Sequence, residues 1–203
     1  MKAKVLFLLA VVCFFAAGCA KETETTMIDT MHDEGRTVMA LDYRDFDMAA
    51  SKMVQSMLAS GALKKPDGGR YVVATGRIVN DTTQRIDTDQ LMVKIETEIL
   101  NSGQAVMTSA IGSGSDELLH ETRQLRDSEE FDQDTVAKRQ TLIAPELTIS
   151  GKIFQRNIRY DRNTQQIEYY FQLKLSDVKS GLRFWQDETL IGKRGSNRSV
   201  SWQ

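Results

Sequence analysis

Two stretches near the C-terminus decide the fold: Leu147-Thr148-Ile149-Ser150-Gly151-Lys152-Ile153-Phe154 and Ile167-Glu168-Tyr169-Tyr170-Phe171-Gln172-Leu173-Lys174-Leu175. In both, every second residue is apolar or small, and the residues between are polar or amphipathic apart from Phe154. A period of two is the signature of a strand with one face buried. Asp161-Arg162-Asn163-Thr164 lies between them and supplies the turn chemistry of a hairpin. Lys179-Ser180-Gly181 then turns the chain toward a third strand near Leu182-Arg183-Phe184-Trp185. The last third of the chain therefore reads as an antiparallel meander of three strands.

Upstream the period changes. Phe46, Ala50, Met53, Val54, Met57 and Leu58 share one face at helical spacing, so a helix is expected from about Phe46 to Ala59, capped by Asp45 and stopped by Ser60-Gly61. The methionines on that face read as core. Tyr71–Ile78 is a continuous, β-branched run that suits a central strand covered on both faces. A second helix is expected from Asp87, with Gln90 at capping-box spacing and Leu91, Met92, Ile95 and Ile99 inward, ending at Asn101-Ser102-Gly103. Val106 marks a short strand. Asp116-Glu117 opens a third helix with Leu118, Thr122 and Leu125 on its inner side. A fourth short helix is expected from Asp134 to Ile143, before Pro145 forces the chain to extend. The fold class that follows is α+β: a small mixed sheet with a C-terminal antiparallel meander and helices packed against it.

The N-terminus has a different character. Lys2 and Lys4 precede an apolar run from Val5 to Phe15, followed by Ala16-Ala17-Gly18-Cys19. That order is the pattern of a secretory signal. The run is shorter than the ~20 residues a membrane-spanning helix needs. Residues 1–18 are read as the signal peptide, 19–40 as a flexible tether rich in Thr and acid, 41–195 as the folded domain, and 196–203 as a basic tail. Of 26 basic and 28 acidic residues, two lysines leave with the signal, so the remainder carries about −4. Bulk nucleic-acid binding has no electrostatic support at that charge. Cys13 leaves with the signal as well. Cys19 is then the last thiol, so no disulfide or cysteine metal cluster is expected.

A search for catalytic chemistry returns little. His32 and His120 have no partner at i+4, which leaves no metal pair or Ser-His-Asp arrangement to propose. Gly112-Ser113-Gly114-Ser115 lacks the Lys of a phosphate loop. Asp87/Asp89 and Asp132/Asp134 fit helix starts better than acid/base pairs. Asn80-Asp81-Thr82 matches a glycosylation pattern. Catalytic, metal and cofactor-binding residues are therefore read as none, and no cofactor, nucleic acid or small-molecule substrate is expected. The basic residues are more suggestive: Arg77 and Arg85, Arg156 and Arg159, and Lys193, Arg194 and Arg198 suit docking to an acidic partner surface, against the alternative of scattered solvated charge.

Two resemblances add to this reading. Small residues followed by Cys19 resemble a bacterial lipobox, with Ala16 in place of the usual Leu. The resemblance implies lipid on the Cys19 sulfur, cleavage before it and acylation of the new amine, with palmitate as an expected chain. The alternative is an ordinary cleaved signal. Ala20, rather than Asp, resembles an outer-membrane sorting signal. Separately, Thr75-Gly76-Arg77-Ile78-Val79-Asn80-Asp81-Thr82 with Ile86-Asp87-Thr88-Asp89, Ala49–Leu58, Ile99–Gly103 and Tyr170–Glu188 resemble the LpoB family of penicillin-binding protein activators. That resemblance implies a domain similar to the N-terminal domain of TolB. It also implies a non-enzymatic, periplasm-facing outer-membrane lipoprotein that binds a bifunctional penicillin-binding protein in peptidoglycan synthesis and cell-shape control. The tether departs from the better-known members, being short and nearly free of Pro. At ~3.3–3.6 Å per residue it reaches at most about 75 Å. A structural lipoprotein of a secretion or surface-appendage complex is the alternative that such a reach favours.

Overall fold

The computed structural model describes residues 25–30, 32 and 35–196. The signal segment, Cys19 and Arg198 lie outside the described residues. The chain divides into two units between Thr37 and Val38. In the first, the described residues are exposed and His32 bonds Asp29 at 2.9 Å.

Among the described residues of the second unit, three helices accompany a five-stranded mixed sheet. Helix α1 spans Tyr43–Ser60, β1 Tyr71–Asp81, α2 Thr88–Ser102, β2 Ala105–Met107 and α3 Glu117–Gln124, followed by a 3-10 turn over Leu125–Asp127. Strands β3 (Leu147–Arg159), β4 (Thr164–Asp177) and β5 (Arg183–Ser196) complete it. The order across the sheet is β2-β1-β3-β4-β5. β1 pairs in parallel with β2 and β3, whereas β3, β4 and β5 form the antiparallel meander. Joining β1 to β2 in parallel requires a crossover, and α2 supplies it.

The period-two stretches behave as expected. Leu147, Ile149 and Ile153 on β3, and Ile167, Tyr169, Phe171, Leu173 and Leu175 on β4, are all buried on one face. Helix α1 covers that face along β5, and α2 covers it along β1 and β2. Phe46, Ala49, Ala50, Met53, Val54 and Met57 form the buried stripe of α1, so the methionines are core. On β1, Val73, Ala74 and Thr75 are buried in succession, as a central strand requires. A register slip follows: Thr75 faces Ile149, but Ile78 faces Gly151. The extra residue at Gly76-Arg77 is a β-bulge, which returns Ile78 to the core side.

Four expectations need correction. Helix α1 starts earlier, with Asp42 as its cap. Asp45, at the third position of the helix, closes the capping box by accepting the Asp42 N–H at 2.7 Å. Helix α3 has no buried residue, and Leu118 is 64% exposed. Residues 134–143 form turns instead of a fourth helix: Asp132 accepts the Asp134 N–H, Arg139 pairs with Asp127, and Gln140 adopts a positive φ of 63°. The third meander strand also runs far beyond Trp185, to Ser196.

Candidate docking surface

Alternation that buries the odd-numbered side chains of β3 and β4 turns the even-numbered ones to the opposite face. Register then lines them up across the sheet. Asp81 stands opposite Phe154, Phe154 opposite Tyr170, and Tyr170 opposite Leu190. The Phe154 and Tyr170 rings stack with centroids 4.7 Å apart and planes 2° from parallel. Leu190 is half exposed, as is Val79 one row away. Among the described residues, this face carries a partly exposed aromatic and aliphatic centre.

Charge surrounds that centre. Lys152 pairs with Asp81 at 2.5 Å and lies 5.6 Å from the Phe154 ring centroid. Glu168 accepts from the Tyr170 hydroxyl and from Gln166 Nε2, both at 2.8 Å, and sits opposite Arg156. The Tyr170 bond, with Gln166 and Arg156 adding to it, holds the Glu168 carboxyl below its ordinary value. The same bond raises the Tyr170 phenol. Arg194 bonds Gln166 at 2.7 Å and stacks over Tyr160 at 3.8 Å. Toward the β4–β5 turn, a recess of about 340 Å³ opens beside the bulge, with Lys152, Lys174 and Arg183 around it. Ion pairs, stacked rings and a cationic recess on one sheet face form a surface suited to docking a protein, with an apolar centre and a charged rim.

The residues singled out from sequence fall in different places. Arg156 and Arg194 join this face. Arg77 is exposed at the bulge, and Arg85 is exposed in the loop before α2. Lys193 is not a docking residue: it is 6% exposed and its amine pairs with Asp45 at 2.5 Å. Its place in the inward register of β5, after Trp185, Thr189 and Ile191, is the signal that sequence reading missed. Gly112 to Ser115 laces the sheet edge, with Ser113 donating its N–H to the Thr75 carbonyl at 2.8 Å. Asp87 and Asp116 cap α2 and α3. Asn80 organises its own loop, accepting the Thr82 N–H and donating to the Gln84 carbonyl. His120 is exposed on α3. Among the described residues, no three His, Cys, Asp or Glu side chains gather as metal ligands, and no helix is long and apolar enough to cross a membrane.

The family model described as "Peptidoglycan-synthase activator LpoB" matches residues 45–191. The chain belongs to the LpoB family. The matched span runs from inside α1 to Ile191 and takes in the whole docking face except the end of β5. Among solved structures, the chain is similar to the C-terminal domain of LpoB from Salmonella enterica, at 12% identity over 72% of this chain and 98% of that one, with a TM-score of 0.43. The Escherichia coli domain is 13% identical over 72% and 98%, with a TM-score of 0.41. A Neisseria meningitidis lipoprotein is 8% identical over 64% and 87%, with a TM-score of 0.31. No curated protein sequence matches. LpoB is a family of regulators rather than of catalysts.

Proposed function

We propose that this protein is an outer-membrane lipoprotein, anchored through Cys19 and facing the periplasm, that binds a bifunctional penicillin-binding protein and stimulates its peptidoglycan synthesis. Membership of the LpoB family across residues 45–191 carries the reading. In this reading residues 1–18 are removed, the lipids on Cys19 hold the chain at the membrane, and residues 19–37 lead to the folded unit. The open sheet face does the docking. Phe154, Tyr170 and Leu190 supply the desolvated centre, and Lys152, Arg156 and Arg194 steer the approach. Stimulation needs no chemistry from this chain: preferential binding to the active conformation of the synthase shifts its population toward that state.

The test has two arms. Mass spectrometry of the chain purified from its own membranes should find a triacylated N-terminal cysteine at Cys19. Lipid-free chain should retain a bifunctional penicillin-binding protein from membrane extract and raise its glycan polymerisation rate. Recovery of secretion or appendage components, with no synthase, would replace this reading with the assembly-lipoprotein one.

A further inference from the structure

Three consecutive residues ahead of α1 are each held by a side chain from a distant part of the chain. The Met39 carbonyl accepts from the Tyr169 hydroxyl at 2.9 Å. The Ala40 carbonyl accepts from Lys193 Nζ at 2.7 Å. The Leu41 N–H donates to Gln84 Oε1 at 3.0 Å. The holders are also joined among themselves: Gln84 Nε2 bonds the Tyr169 hydroxyl, and Lys193 pairs with Asp45. Met39 and Leu41 are buried, whereas residues 35–38 are all exposed.

This cluster is more than a helix cap. The capping box of Asp42 and Asp45 already satisfies the start of α1. The additional bonds act on the residues before the cap, and they come from β4, β5 and the β1–α2 loop. Tyr169 and Lys193 project from the covered face of the sheet, the one opposite Phe154 and Tyr170. A chain held there is gripped away from the docking surface.

We propose that Gln84, Tyr169 and Lys193 form a clamp that takes up tension arriving along the N-terminal segment, so that α1 stays seated while the open face engages a partner. The origin of that tension rests on the tethered reading above; the mechanics of the clamp do not. Without the clamp, a pull would act first on the opening turn of α1, and helix ends are the segments that open most readily.

An optical trap tests it on the full chain, with Tyr169→Phe and the paired variant Lys193→Met/Asp45→Asn. The pair avoids leaving a buried charge alone, which keeps folding in reach. One set of handles sits at the N-terminus and at Lys179→Cys in the β4–β5 turn. The control set sits at Asn163→Cys and Lys179→Cys, so that load runs along β4 and bypasses residues 39–41. Each variant should unfold roughly tenfold faster at fixed load in the first geometry, and change much less in the control. Equal acceleration in both geometries would reduce the cluster to ordinary packing and overturn the clamp, as would no acceleration in the first. A negative lipid measurement at Cys19 would remove the natural source of tension without altering the trap result, so the two failures are distinguishable.

Discussion

A lysine on the inward register of an edge strand is an expensive residue to bury, because its ammonium must leave water. Lys193 is tolerated because Asp45 and the Ala40 carbonyl meet it in the same small space. An inward charge also discourages a stray strand from pairing with the β5 edge. Beside it, burial pushes the Tyr169 phenol up to about 12, with the Gln84 bond acting in the opposite sense. The folded value lies above the ordinary value of about 10. Stability tied to the neutral hydroxyl is therefore complete below about pH 10 and lost as the pH rises toward about 12. Thermal melts across that interval should show a decline in the parent that is blunted in Tyr169→Phe; parallel profiles would contradict the assignment. Thr189 offers the opposite case, a buried hydroxyl with no hydrogen-bond partner. Thr189→Val removes an unmet polar group while keeping the shape. Urea unfolding should find the variant at least as stable as the parent, with a gain of up to ~1 kcal/mol.

At the level of elements, the edge of the sheet depends on a glycine. Gly112 has a φ of +92°, and a Cβ there would stand 2.2 Å from the Thr75 carbonyl oxygen. Gly112→Ala should cost about 1–3 kcal/mol and raise amide exchange at Ser113, whose N–H bonds that carbonyl. Gly103, which ends α2 at φ +69° with open space around its Cβ position, provides a comparison. Gly103→Ala should cost only about 1 kcal/mol. A reversed order in chemical denaturation would sink the steric account. The elements legible in the sequence were those whose two faces meet different surroundings. The meander strands and α1 announced themselves because one face is buried and the other is not. Helix α3 was legible, but its inner side misled, because the spacing of Leu118 and Leu125 looks the same whether that side packs or faces water. From Asp134 to Ile143, side-chain bonds such as Arg139 to Asp127 and Arg123 to Thr141 hold turns that no periodicity reveals. The length of β5 was hidden by Gln186-Asp187-Glu188, a polar run directly after Trp185 that breaks its apolar alternation. The docking face was only partly legible: Arg156 and Arg194 were marked, but Phe154, Tyr170 and Leu190 come together through register alone.

For the molecule as a whole, the proposed docking role leaves stability to one face of the sheet and recognition to the other. Core residues lie on the helix side, so the other side can change without unfolding the domain. Leu190→Glu, at a half-exposed position on the edge-strand side of the open face, should leave the unfolding free energy within about 0.5 kcal/mol. It should weaken binding to a captured synthase about tenfold or more, measured by surface plasmon resonance. Intact binding would move the docking site elsewhere.

The contact between Lys193 and Ala40 has one more consequence. It brings the first held residues of the folded unit within a side chain's reach of its last strand. A short linker from Ser196 to Val38, with the chain reopened at Lys179-Ser180, would give a circular permutant that keeps every strand pairing.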